Sequence, residues 1–226
     1  MDTDTLIQRL ARDTAAVRPL PRPWLRTGLW LALAIPYVVL VVLAVTPRGD
    51  LATKISDSRY LIEQLGALIT GVAAAAAAFA SVIPGVNRKF LLVPLIPMAV
   101  WLGSLGEGCV ETWLRSVTNG LVLEADWVCF PSIVLVGAVP AIAMAVMLRR
   151  GAPLTPHVTA ALGGLAAAGL GNFGLRFFHP QDASLMVLVW QVGSVVVLSA
   201  LAGWAGRYVL SWRSTIGTLR TRAAAD

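Results

Sequence analysis

Charged residues are scarce in this sequence. Only 13% of its 226 residues are charged, whereas 57% are hydrophobic, and a soluble domain carries roughly 25% charged residues. Because a water-exposed surface must be covered with polar groups, this deficit excludes an ordinary soluble domain. The net charge of +6 does not indicate direct nucleic-acid binding, because the basic residues lie at the ends of apolar runs.

Catalytic signatures are also absent. The sequence has no Walker-type loop, no His-Glu-x-x-His, no Gly-x-Ser-x-Gly and no Cys-x-x-Cys. No charged residue lies deep within an apolar run, since Glu63 and Arg176 fall near the ends of theirs. Transporters driven by protons or ions usually need ionisable groups inside the membrane. We therefore predict a protein that is not an enzyme, and a transporter is disfavoured.

Long apolar runs are what the sequence has in abundance. Each of six runs is about long enough to cross ~30 Å of hydrocarbon as an α-helix. Helices also satisfy their own backbone polar groups, as lipid requires. We predict an all-α polytopic membrane protein with about six transmembrane helices in a domain of residues 27–209. The predicted spans are 27–45, 60–83, 90–106, 127–148, 154–176 and 183–206.

The distribution of Lys and Arg predicts the orientation. With the N-terminus inside, most basic residues fall in inner segments, and the acidic residues outside the two tails fall on the outer side. This asymmetry is typical of membrane proteins, so we predict both termini in the cytoplasm, with 210–226 as a basic cytoplasmic tail. Tryptophans near predicted span ends are expected at the headgroup level. They are Trp24, Trp30, Trp127, Trp204 and Trp212.

The N-terminal segment, residues 1–26, is predicted to contain one amphipathic helix. Thr5 to Gln8 matches a capping box, and the helix should stop before the prolines that begin at Pro19. An isolated helix this short is marginal in water, so its apolar face needs a protein or the bilayer surface, unless the tail is disordered. The apolar stripe and its neighbouring charge comprise Leu6, Ile7, Leu10, Val17 and Arg9.

The two cysteines flank the longest predicted outer loop, residues 107–126. Cys109 and Cys129 would face an oxidising compartment near the membrane surface. Three interpretations stay open: a permanent structural disulfide, a redox-switched or metal-binding thiol pair, and two unrelated buried cysteines. Thiolates select soft metals such as Cu(I) or Zn, so a soft metal ion at this pair is the only cofactor that the pattern suggests.

A further polar group lies at the predicted outer turn between the fifth and sixth spans. His179 and Asp182 could bind a metal or respond to pH there, although a surface turn is the simpler interpretation. If this turn faces the cysteine loop, Cys109, Cys129 and His179 would form one sensor site.

Several short segments of the sequence match those of one protein family in their order and spacing. They are residues 17–20 before 24–26, residues 101–106 leading into Cys109, Cys129 with Pro131, residues 148–153, and residues 179–180 with 182–190. Together they resemble the NrsF-like proteins, negative regulators of the extracytoplasmic-function sigma factor SigF. The resemblance covers nearly the whole chain.

The resemblance implies a six-helix anti-sigma factor of the bacterial inner membrane. Its partner would be an extracytoplasmic-function sigma factor, held away from RNA polymerase at the cytoplasmic face. Cys109 and Cys129 would sense periplasmic oxidants or heavy metals, and the N-terminal segment would bind the sigma factor. The alternatives are a membrane thiol-redox enzyme of the quinone-linked type and a metal or small-solute transporter. The oligomeric state stays open.

Overall fold

The computed structural model describes residues 2–12, 20–116, 129–151, 153, 155–179 and 185–210. Every described element is helical, which confirms the all-α prediction. Val17, Asp182 and residues 211–226 lie outside the described part of the chain. The α-helices are α1 (Thr3–Arg12), α2 (Pro23–Val45), α3 (Leu51–Ile55), α4 (Ser58–Ala80), α5 (Leu95–Ser116), α6 (Cys129–Arg149), α7 (Pro156–Leu175) and α8 (Leu185–Val209), with a 3₁₀ helix at Arg88–Leu92.

Five helical segments are long and apolar enough to cross a membrane. They are Pro23–Val45, Ser58–Ala80, Arg88–Gly108, Phe130–Arg149 and Pro156–Leu175, and the described part of α8 adds a shorter apolar stretch, Val192–Gly206. This set is compatible with the six predicted spans. The sixth span and the orientation of the helices remain predictions.

Two of the helix boundaries that differ from the predicted spans have a clear physical reason. α2 begins at Pro23, because a proline in the first turn lacks only an N–H that would be unpaired there anyway. α5 continues to Ser116, beyond the predicted limit of 106. The prediction ended this span before its first charge, Glu107, but a charged residue near the membrane surface does not stop a helix from continuing.

Helix α7 lies at the centre of the packing and approaches its neighbours closely through small residues. A Cβ atom at Gly169 would lie 3.0 Å from the carbonyl oxygen of Ala67 on α4, and one at Gly164 would lie 2.8 Å from Cβ of Ala202 on α8. Small residues at such positions let the helix backbones come together where side chains would hold them apart.

Gly169→Val should destabilise the bundle, because the new side chain would collide with the backbone of α4. Overpacking of this kind costs about 1–3 kcal/mol, which should lower the midpoint of thermal unfolding in detergent. Gly103→Val is the matched control, since a Cβ there meets nothing within 4 Å. Equal midpoints for the two variants would contradict the proposed close contact between α4 and α7.

Candidate functional site

The two cysteine-bearing turns lie at the same end of the helix bundle, called here the cysteine end. Cys109 lies in the last two turns of α5, and Cys129 is the first residue of α6. Ile133 in the first turns of α6 packs near Leu175 at the end of α7, which fixes the relative direction of these helices. The side chains of both cysteines lie outside what the structure describes.

His179 is also at the cysteine end, but it is packed into the protein. It is only 8% exposed, its backbone N–H donates to the Leu175 carbonyl at 2.9 Å, and its own carbonyl accepts from Nη1 of Arg48 at 3.3 Å. His179 itself is therefore buried, while the rest of the predicted turn, including Asp182, lies outside what the structure describes. Among the residues that the structure describes, no group of three His, Cys, Asp or Glu could hold a metal ion.

A buried ion pair joins α4 to the end of α7. Nη2 of Arg176 lies 2.6 Å from Oε2 of Glu63, and the two side chains are 6% and 3% exposed. The hydroxyl of Tyr60 donates to the Arg176 carbonyl at 3.2 Å, and its ring lies 5.3 Å from the guanidinium. Sequence reasoning located both charges near span ends but missed their pairing. Their opposite signs at the same predicted end were the available signal.

A second buried arginine holds the loop after α2 against the end of α7. Arg48 donates through Nε and Nη2 to the two carboxylate oxygens of Asp50, at 2.5 and 2.7 Å. Its backbone N–H donates to the Phe177 carbonyl at 2.9 Å. The hydrogen bonds from Arg48 hold the pKa of Asp50 below its ordinary value. The loop after α2 is thus connected to the end of α7 at the cysteine end.

A third ion pair brings α5 into this group of contacts. Nη1 of Arg59 on α4 lies 2.8 Å from Oε2 of Glu111, which follows Cys109 by two positions on α5. This pair is more exposed than the first, at 30% and 46% for its side chains. Glu107 and Glu63 also attract Arg59 electrostatically. Charged contacts therefore run from the Cys109 turn through α4 to the end of α7.

At the opposite end of the bundle, called here the arginine end, the contacts among the described residues involve no acidic partner. Arg26 in the first turn of α2 is 3% exposed, and its Nη2 donates to the Met147 carbonyl of α6 at 2.5 Å. Its guanidinium lies 4.5 Å from the ring of Phe79 on α4. Nε of Arg149 donates to the Val209 carbonyl at 3.1 Å, which joins α6 to α8.

The N-terminal helix α1 presents apolar side chains to its surroundings. Leu6 and Ile7 are 42% and 57% exposed. Arg9 and Leu10 lie in the same helix, but their side chains are outside what the structure describes, as is Val17. Leu6 and Ile7, the predicted docking residues whose side chains the structure describes, are therefore exposed and available for contact.

The fold is that of an all-helical protein with membrane-length apolar helices and charged side chains concentrated at the two ends of the bundle. A family model described as the negative regulator of sigma F, NrsF, matches residues 10–212, and the chain belongs to this family. The resemblance found in the sequence is thereby confirmed. This family consists of regulators and not of enzymes, in agreement with the prediction.

One curated relative extends this finding over nearly the full length. The chain is 25% identical over 217 residues to the anti-sigma-F factor NrsF of Caulobacter vibrioides (strain NA1000 / CB15N), which covers 94% of this chain and 100% of that protein. No solved structure matches the chain.

Glu63→Ala should destabilise the protein strongly, because it removes the carboxylate from a buried guanidinium. Breaking a buried pair in this way costs about 3–5 kcal/mol. Glu111→Ala is the control from the same end of the bundle, and losing its exposed pair with Arg59 should cost about 0–1 kcal/mol. Thermal unfolding of both variants in detergent measures the difference. Similar losses from the two substitutions would show that burial of the Glu63 pair is unimportant.

Proposed function

We propose that this protein is an inner-membrane anti-sigma factor that sequesters an extracytoplasmic-function sigma factor and releases it under periplasmic oxidative or heavy-metal stress. The observation that carries the proposal is the family match over residues 10–212, which includes all six predicted spans. The name of the Caulobacter relative, an anti-sigma-F factor, supports a sigma factor as the partner.

Insertion in a membrane is supported by the outer faces of the helices. On α2, Leu29, Leu33, Leu40 and Leu43 are 50–67% exposed. A continuous apolar face of this kind is unfavourable in water and favourable against lipid. Exposed aromatic rings near helix ends, such as Trp24 at 68%, suit the headgroup level.

The arginine end is assigned to the cytoplasm, because loops rich in Lys and Arg stay on that side. Arg22, Arg26, Arg149 and Arg150 all belong to this end. The cysteine end then faces the periplasm, where thiols can be oxidised. The N-terminal segment, which enters α2 at the arginine end, is on the side where a sigma factor would be found.

Helix α1 is the proposed docking element for the sigma factor. Its exposed Leu6 and Ile7 are suited to an apolar groove, which is a common way for an amphipathic helix to bind a folded partner. Binding would also supply the tertiary contacts that so short a helix needs for stability.

Deleting residues 1–24 should abolish recovery of a sigma factor with the detergent-solubilised protein, as read by mass spectrometry. Ile7→Glu should weaken binding at least tenfold, equivalent to about 1.4 kcal/mol, because a charge would enter the apolar contact. Gln8→Glu adds the same charge on the opposite face of α1 and should bind normally. Recovery of the sigma factor with the truncated protein would place docking elsewhere, and no sigma factor with either form would refute the function.

Cys109→Ser and Cys129→Ser should each abolish the stress response while leaving the sigma factor bound. In the proposed response, an oxidant takes two electrons and two protons from the thiols as they join in a disulfide, or a soft cation displaces the protons and binds the thiolates. Sigma-dependent transcription before and after exposure to Cd²⁺ or diamide is the measurement. Unchanged induction in both variants would exclude the pair as the sensor.

A further inference from the structure

Helix α2 is attached to helix α6 by a series of three hydrogen bonds. In each of them, a side chain of α2 donates to a backbone carbonyl of α6. The bonds are Tyr37 Oη to Leu135 at 2.8 Å, Trp30 Nε1 to Pro140 at 2.9 Å, and Arg26 Nη2 to Met147 at 2.5 Å. We call these three contacts the α2–α6 seam. Within the described chain, the hydrogen bonds from α2 to the other long helices all end on α6.

The seam extends along most of α6. From Leu135 to Met147 it covers about 18 Å of helix at 1.5 Å per residue. α6 begins at Cys129, so one of its ends carries a proposed sensor residue. Its other end holds Arg26, in the first turn of α2, directly after the segment that carries the proposed docking helix.

Loss of the hydrogen bond would be costly for two of the seam donors, because both are buried. Trp30 is 0% exposed and Arg26 is 3% exposed, so a lost hydrogen bond would leave a buried donor unpaired. Such unpaired groups are costly, and more so for a charged donor. Backbone carbonyls also move with the helix to which they belong. A displacement of α6 should therefore carry α2 with it instead of breaking the seam.

The middle of the seam coincides with a weak point of α6. Pro140 has no N–H, so the helix lacks one of its internal hydrogen bonds there. Prolines are common places for a helix to bend. Trp30 is bound to the carbonyl of this residue, so a bend of α6 at Pro140 would act directly on α2.

We propose that α6 transmits the signal across the membrane, with Trp30 and Arg26 as positioning residues that make α2 follow its movement. A disulfide or a bound cation at Cys129 would displace α6, and the seam would pass this displacement to the start of α2 and to the docking segment. The proposal rests on the proposed function, since it concerns how the same sensor controls the same sigma factor.

Trp30→Phe tests the seam, because it removes the indole N–H and keeps a buried aromatic ring. Trp101→Phe is the matched control, since Trp101 is equally buried at 1% exposure but lies on α5, outside the seam. Full-length proteins in liposomes, with the sigma factor bound, are treated with diamide or Cd²⁺, and the released fraction is measured. Diamide is reduced to its hydrazine as it takes two electrons and two protons from the thiols.

We expect Trp30→Phe to bind the sigma factor as the wild type does, with release reduced at least threefold, while Trp101→Phe releases normally. Normal release from Trp30→Phe, or an equal loss in both variants, would overturn the proposal. Should Trp30→Phe fold poorly, Tyr37→Phe removes another seam donor from a more exposed position and should reduce release in the same direction.

Hydrogen exchange provides a measurement that needs no sigma factor. In the wild type, exchange in the peptide of residues 20–35 should change after diamide treatment, and this change should be absent from Trp30→Phe and from Cys129→Ser. If no sigma factor binds the wild type, the proposed function fails even where this exchange response is seen. If the sigma factor is released without any exchange response in α2, the function stands and the seam proposal fails.

Discussion

Buried polar groups in this bundle must form their hydrogen bonds with other groups of the protein, and few acidic residues are present to accept them. The sequence has no acidic residue in 14–49, 64–106, 127–181 or 183–225. Several side-chain donors among the described residues therefore bind backbone carbonyls of neighbouring helices. Trp30 and Tyr60 are examples, bound to the carbonyls of Pro140 and Arg176. A carbonyl partner ties one helix to the backbone of another, so these contacts fix helix positions directly.

Buried arginine side chains have different partners at the two ends of the bundle. At the cysteine end, Arg48 and Arg176 have the carboxylates of Asp50 and Glu63. At the arginine end, Arg26 relies on a carbonyl and an aromatic ring. The first arrangement neutralises the charge and the second leaves it positive. Among the described residues, the buried arginine of the arginine end therefore keeps its positive charge, whereas those of the cysteine end are paired with carboxylates.

The apolar runs were sufficient to predict the long helices, because their length and hydrophobicity are typical of helices that can cross a membrane. The contacts between helices were not predictable in the same way. Glu63 and Arg176 were recognised as span-end charges, but each run was interpreted alone, so their ion pair was missed. Trp30 was predicted near a span end from the sequence, but its packing against the other helices was missed: it is fully buried. α2 begins four residues before the predicted span, which places Trp30 two turns inside the helix.

Helix α6 is held by different kinds of contact on its two sides, where it meets α7 and α2. Between α6 and α7 the contact depends on small residues. A Cβ at Gly171 would lie 2.9 Å from the Ile133 carbonyl, and one at Gly137 would lie 3.2 Å from the Ala167 carbonyl. Side chains of α6 also fit against glycines of α7, since a Cβ at Gly174 would lie 2.6 Å from Cγ1 of Val136 and one at Gly163 would lie 3.0 Å from Cγ of Met144. The α2–α6 contact has three directional hydrogen bonds in addition to its packing. These bonds attach α2 to the backbone of α6 at three levels along its length, so in the proposed response a displacement of α6 would carry α2 with it.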